Sequence, residues 1–437
     1  MVIHLTYCIL LIIICSLYYF PFSFQALPTV NSKMVVAALG LIFFCWERIK
    51  RKSLSIRKDL LLVLCIGLVF SLWSFFSVVY NSTDDMVFAT YYVSMCVWLG
   101  GAYCVIYLLR QMYGKVALQT LIIYMGIMCA VQCVIAVMID NIPILQNAVD
   151  NAITGIDPEY FEKNPRLYGI GVGFDTAGIR FSCVLLSLAY MIKVSASLIK
   201  KNLYILLFLL IGVVGNMISR TTIVGIAIAG SYLLLSSISL RKVVITITSK
   251  RILWVVGLCV ILFILYNAGI YLYNSMPGVR AAFDYGFEGF INFYKTGSFT
   301  THSSDLLIDS IGDIVPDNVK TWVIGDGYFA DPYDPYKFYM GTDMGYLRLI
   351  FYCGLVGLFI FATYFACCTY VLCKRDMKLT LFFICLFMIQ LIVWIKIPTD
   401  TFCFYALVLL SDGQEHQNAT CMKRLAISQK TYDNNLL

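Results

Sequence analysis

The feature that most constrains this chain is a succession of apolar stretches, each long enough to cross a lipid bilayer. A helix rises 1.5 Å per residue, so roughly 20 apolar residues cross a hydrocarbon core about 30 Å thick. Such runs fall at 2–20, 33–46, 59–80, 87–109, 116–139, 179–199, 202–218, 222–240, 252–272, 344–373, 379–395 and 401–411, the last being short. The sequence therefore predicts an all-α, polytopic integral membrane protein with about 12 transmembrane helices. Of the 437 residues, 60% are hydrophobic and only 13% charged, with mean hydropathy +0.83, which excludes a soluble globular domain.

Charge gives the chain a direction. With the N-terminus inside, the inward connections carry Arg48, Lys50, Arg51, Lys52, Arg57 and Lys58, then Arg110 and Lys115. Further inward connections carry Lys193, Lys200 and Lys201, then Arg241, Lys242, Lys250 and Arg251, then Lys374, Arg375 and Lys378. Most acidic residues, from Asp84 to Asp400, fall on the other side. This is the positive-inside bias of a membrane protein. The net charge of +7 is thus sorted by loop and offers no basic patch to nucleic acid. An even number of spans puts both termini in the cytoplasm, with residues 412–437 as a tail. The first run lacks a basic n-region and reads as an uncleaved span.

The 17 cysteines lie mostly inside apolar runs, as small buried hydrophobes. No C-x-x-C pair occurs, and His4, His302 and His416 are scattered. The ligand spacing of a metal centre is missing, so neither a metal nor another cofactor is expected.

Two outward segments of the single membrane domain, 140–178 and 273–343, are too long to be mere connectors. Long loops on a rigid scaffold commonly carry function. In the second, Leu306, Leu307, Ile308, Ile311 and Ile314 make an apolar stripe that predicts a helix over Ser303–Ile314. The prolines of Asp331-Pro332-Tyr333-Asp334-Pro335-Tyr336 predict irregular backbone there.

Three arginines fall at or just above the expected outer surface: Arg166, Arg180 and Arg220. A guanidinium is permanently charged and planar, and a cluster at that depth suits the pyrophosphate of a polyprenyl-linked substrate. Each also reads as an interfacial arginine that snorkels towards headgroups. Arg220 is the stronger candidate. It lies in Ser219-Arg220-Thr221-Thr222 between two apolar runs, where a charge is costly unless it faces a polar cavity. The glycines at 169, 171, 173 and 178 lack the strand–turn–helix setting of a nucleotide fingerprint.

The most specific stretch is Val323-Ile324-Gly325-Asp326-Gly327-Tyr328, followed by Gly341-Thr342-Asp343-Met344-Gly345-Tyr346-Leu347-Arg348 and Cys353-Gly354-Leu355-Val356-Gly357. Asp343 is a candidate to accept a proton from a sugar hydroxyl, and Arg348, about one turn deeper, to pair with it or with phosphate. The alternative is that Thr342 or Asp343 caps a helix. His302, beside Ser303, Ser304 and Asp305, is a catalytic candidate or equally a surface histidine near a helix start. Asp331 and Asp334 favour turn formation. Tyr328, Tyr333, Tyr336, Tyr339 and Tyr346 suit stacking on saccharide rings and equally suit an interfacial loop.

At these residues the chain resembles the O-antigen polymerase (Wzy) group, with the related capsular and exopolysaccharide polymerases. The resemblance rests on Gly178-Ile179-Arg180-Phe181-Ser182, on Ser219-Arg220-Thr221, and on the run from Gly325 to Gly357, within a similar layout along nearly the whole chain. It implies a metal-independent glycosyltransferase of the bacterial inner membrane, working on the periplasmic face. Such an enzyme joins undecaprenyl-diphosphate-linked oligosaccharide repeat units into surface polysaccharide, as O-antigen or capsule. Membrane lipid, a flippase and a chain-length regulator are the further partners implied. Carried over, Arg166, Arg180, Arg220 and Arg348 bind the diphosphate, Asp343, Arg220 and His302 are catalytic, and Tyr328 and Tyr346 meet the glycan. Where such enzymes are often expected to have arginines in the large loop, this chain has only Arg280.

Two rival readings stand beside it. An O-antigen ligase, which delivers finished glycan to the lipid A core, shares the layout. Ligases typically place a histidine shortly before the glycine-rich span, where this chain has Asp343. A transporter or flippase is the other. Transporters usually show paired repeats and polar groups near the bilayer midplane, and neither is apparent here.

Overall fold

A computed structural model describes residues 2–51, 57–154, 164–237, 249–301, 304–305, 314–334 and 337–413. In chain order it contains α1 (Val2–Tyr19), the short strands β1 (Ser23–Phe24) and β2 (Leu27–Asn31), α2 (Ser32–Arg51), α3 (Lys58–Tyr80), α4 (Tyr91–Tyr113) and α5 (Leu118–Asn141). There follow α6 (Pro143–Ala152), α7 (Phe174–Val194), α8 (Leu198–Ile218), α9 (Thr222–Ser237), α10 (Ser249–Ser275), α11 (Pro277–Gly286) and α12 (Glu288–Thr296). The series ends with α13 (Val319–Val323), α14 (Gly345–Arg375), α15 (Thr380–Val393) and α16 (Phe402–Leu410).

The protein is an all-α membrane protein. Among the described residues, six helices are long and apolar enough to cross a membrane: α3, α4, α5, α7, α8 and α14. Shorter apolar helices cover His4–Tyr19, Thr222–Ser236 and Met377–Val393. The expected count of about 12 is not reached on length and composition. One reason is that α2 ends in Glu47, Arg48, Lys50 and Arg51, and another is that α16 has only 9 residues. The run expected at 179–199 divides differently: α7 starts earlier, at Phe174, and stops at Val194. Asp175 in its first turn suits the positive end of a helix while lowering the local hydropathy that the sequence reading followed.

The core is aromatic. Phe361 stacks on Phe70 at 4.3 Å and on Trp394 at 5.2 Å, joining α3, α14 and the end of α15. Helix α14 breaks at Gly354, whose φ of +67° and ψ of −177° lie outside any helix. A Cβ at that position would fall 2.1 Å from Val323 O, so the break admits only glycine. The carbonyls freed by the break find other donors. Asp326 N and Gly327 N donate to Phe351 O and Tyr352 O, Ser77 Oγ to Tyr352 O at 2.7 Å, and Trp73 Nε1 to Cys353 O at 2.8 Å. The Gly325-Asp326-Gly327 motif thus plugs a broken helix.

Helices α15 and α16, of 14 and 9 residues, extend only about 21 and 14 Å, short of a core about 30 Å thick. The irregular turn between them has its polar groups satisfied within the protein. Gln390 Oε1 accepts from both Thr401 N and Thr401 Oγ1 at 2.7 Å, while Gln390 Nε2 and Trp394 Nε1 donate to Thr399 O at 3.0 and 2.8 Å. At the opposite end of α16, Arg375 and Arg57 donate to its last carbonyls, and Arg110 pairs with Asp412 at 2.9 Å. Cations there complement the negative end of the helix dipole.

Candidate functional site

Gly178 of α7 faces the Ser219-Arg220-Thr221 turn that leads into α9. A Cβ on Gly178 would lie 2.0 Å from Thr221 Oγ1 and 2.6 Å from Ser219 Oγ. Ser219 Oγ donates to Asp175 Oδ1 at 3.0 Å, and Ser182 Oγ accepts from Gly225 N at 3.1 Å. The turn is thereby fixed from both sides, and Arg220 projects into a cavity.

There the Arg220 guanidinium lies over the ring of Tyr285, 4.2 Å from its centroid, and forms an ion pair with Glu288. Arg166 donates to the hydroxyl of the same Tyr285 and stands 5.0 Å from its ring. Tyr285 belongs to α11, which Asn216 at the end of α8 anchors by donating from Nδ2 to Gly286 O at 2.7 Å. Two arginines distant in sequence are thus held by one tyrosine from a third segment.

The facing wall comes from the start of α14 and the turn after α15. Asp343 Oδ2 pairs with Lys396 Nζ at 2.8 Å, both side chains being partly exposed. Thr342 Oγ1 accepts from Met344 N at 3.2 Å, and no side chain caps α14, so Asp343 is directed to Lys396 rather than to the helix end. Arg348 is only 4% exposed. Its guanidinium lies between the rings of Phe329 and Phe338, at 3.7 and 3.8 Å, and Nη2 donates to Phe329 O at 3.1 Å. Each ring face contributes about 2 kcal/mol when desolvated. Two ring faces and a carbonyl thus take the place of water around the buried guanidinium. Arg348 is therefore stable as a buried cation.

These walls enclose about 990 Å³. Arg166, Arg220, Arg348 and Lys396 border this space with Asp175 and Asp343, and Ile223, Val224, Phe290, Phe299 and Pro398 give it an apolar side. A cavity of this kind accepts an amphiphile with a strongly anionic group.

The other candidate residues lie elsewhere. Arg180 is not part of the cavity wall: its guanidinium stands 5.7 Å from Trp98 and 5.9 Å from Phe20, and Lys33 Nζ lies 4.8 Å from the same Trp98. Tyr328 stacks on Tyr339 at 5.3 Å, and Tyr346 donates its hydroxyl to Leu391 O at 2.8 Å; neither borders the cavity. Burial, and then the neighbouring Asp326 carboxylate, push the Tyr339 hydroxyl up to about 12. Arg280 stands 5.3 Å from Tyr273. His302, Tyr336 and most of the helix expected over Ser303–Ile314 lie outside the described residues. Asp331 Oδ1 accepts from Tyr333 N at 2.8 Å and Asp334 N at 3.2 Å, which forms a turn.

Sequence reading missed Lys396, Tyr285 and Glu288. A signal for Lys396 was present, because it stands between two apolar runs just as Arg220 does. Tyr285 and Glu288 had none, as their partners come from distant segments. Among the described residues no group of three or more His, Cys, Asp or Glu side chains is gathered as metal ligands. Comparison with known protein families, characterised proteins and solved structures finds no match to this chain.

Proposed function

We propose that this protein is a polysaccharide polymerase that joins undecaprenyl-diphosphate-linked oligosaccharide units on the outer face of the bacterial inner membrane. The observation that carries the reading is the gathering of Arg166, Arg220, Arg348 and Lys396, from four separate segments, around one cavity that also holds Asp343. Four cations against Asp175, Asp343 and the Glu288 paired to Arg220 leave the site positive, which suits a diphosphate. The apolar side beside them suits the first isoprene units.

In this reading the chain crosses the membrane about 12 times, counting short and paired helices. Both termini are cytoplasmic, and the cavity opens to the periplasm. The arginines around the end of α16 then lie on the cytoplasmic side, in accord with the positive-inside rule.

The donor is already activated, because a lipid diphosphate leaves readily. Arg166 and Arg220 neutralise charge that grows on the departing diphosphate, and Arg348 adds a fixed positive field. Asp343 accepts the proton of the acceptor hydroxyl as that oxygen attacks the anomeric carbon, and direct displacement inverts the centre. A flippase supplies units in this scheme, and a chain-length regulator acts on the product.

Deletion of the gene tests the reading. Surface glycan is expected as single repeat units, since units are made and flipped but not joined. A normal-length ladder would reject polymerase activity. Loss of all glycan from lipid A, with long lipid-linked polymer accumulating, would favour a ligase.

A further inference from the structure

Four cations border the cavity, and they are not alike. Arg166 is tied to Tyr285, Arg220 to Tyr285 and Glu288, and Arg348 to two phenylalanine rings and a carbonyl. Each guanidinium is stacked on aromatic surface, which holds a planar group in one orientation. Lys396 differs in kind. Its ammonium sits on a flexible four-carbon stem, is partly exposed, and has Asp343 as its carboxylate partner at 2.8 Å. The backbone that carries it is the opposite of flexible, since Gln390 and Trp394 fix the turn after α15 on both sides of Lys396. A mobile charge on a rigid mount has one natural movement, an exchange of partner within the cavity.

The pairing also presents a difficulty for catalysis. Asp343 Oδ2 is occupied by Lys396, so while the pair holds the carboxylate has fewer lone pairs to offer a sugar hydroxyl. Departure of Lys396 would leave the whole carboxylate to the acceptor. The group best able to draw it away is a second, more highly charged anion, and the cavity is built to take one.

We propose that Lys396 is a charge switch: the diphosphate of the lipid-linked donor draws its ammonium from Asp343, so donor binding itself frees the base. This rests on the polymerase reading of the cavity. Before donor binding, the ion pair keeps both groups satisfied. After it, Lys396 neutralises phosphate oxygen beside Arg166 and Arg220, and Asp343 faces the acceptor. The bond from the anomeric carbon to the phosphate oxygen breaks with its electron pair on the diphosphate. A bond forms from that carbon to the acceptor oxygen, and the hydroxyl proton passes to Asp343.

The switch makes an uncommon demand: removing the catalytic carboxylate should strengthen donor binding. The test uses the full chain in lipid nanodiscs, with undecaprenyl diphosphate alone as the probe, and each variant eluting as a single species. Asp343→Asn is expected to bind the probe several-fold more tightly than wild type, while losing polymer formation. Lys396→Met is expected to bind it roughly tenfold more weakly, the size of one charge-assisted contact. In the double variant, Asp343→Asn should bring no gain, since there is no ammonium left to release. Equal gains from Asp343→Asn with and without Lys396 would reduce the effect to bulk charge and overturn the switch. So would binding that is lost in Arg220→Ala yet unmoved in both Lys396→Met and Asp343→Asn, although the polymerase reading would survive. Wild-type protein that fails to bind the probe would overturn that reading and the switch with it.

Discussion

Tyr285 couples Arg166 to Arg220: its hydroxyl accepts from the first, and its ring lies 4.2 Å from the guanidinium of the second. One side chain on a short amphipathic helix thus sets the spacing of two cations contributed by the loop before α7 and the turn before α9.

Separating the two functions of Tyr285 gives the first prediction. Tyr285→Phe keeps the ring under Arg220 and removes the acceptor for Arg166, so polymer formation per folded molecule should fall roughly tenfold, as for loss of a hydrogen bond to a charged group. Tyr285→Ala removes both contacts and should fall further. Equal activity in all three proteins, measured in membrane vesicles, would show that the arginines do not depend on Tyr285.

Arg220→Lys keeps the charge yet loses the planar fork that both stacks on Tyr285 and pairs with Glu288. Activity should drop about 10-fold to 100-fold at normal expression. Full activity would make Arg220 an anchor at the membrane surface and nothing more.

Gly354→Ala tests the broken helix. An alanine must adopt the left-handed backbone at a cost of about 1–3 kcal/mol, and its Cβ would collide with Val323 O. The thermal unfolding midpoint in detergent should fall by several degrees, with reduced yield. Wild-type stability would mean that α14 can run straight through this position.

Arg180 supplies a contrast, since it packs beside Trp98 and Phe20 and not in the cavity. Arg180→Met should lower the unfolding midpoint while undecaprenyl diphosphate binding stays within about twofold, the usual reach of a change that loses no direct contact. A loss of binding as large as that of Arg220→Ala would put Arg180 in the site.

Much of this fold was legible in hydropathy. The runs expected at 59–80, 116–139 and 344–373 lie within a few residues of α3, α5 and α14, because a long apolar stretch in hydrocarbon has no alternative to helix. The β1–β2 hairpin, α11 and α12 were not foreseen. They are short and amphipathic or extended, and form where the longer helices present a surface to pack on. Charge between apolar runs pointed to Arg220, and the glycine-rich run pointed to Asp343 and Arg348. Their meeting in one cavity depends on the Gly178 approach and on the turn after α15, neither of which leaves a periodic signal. Arg180 and Arg166 bracket one glycine-rich segment at the expected outer surface, and only tertiary packing distinguishes the two.

The decisive measurement is reconstitution of the purified full chain in liposomes with a chemically defined undecaprenyl-diphosphate-linked repeat unit as sole substrate. We expect a ladder of lipid-linked oligomers, with one undecaprenyl diphosphate released per bond formed, and none from Asp343→Asn. Substrate left as single units by wild-type protein, under conditions where it is folded and binds undecaprenyl diphosphate, would overturn the assignment as a polymerase.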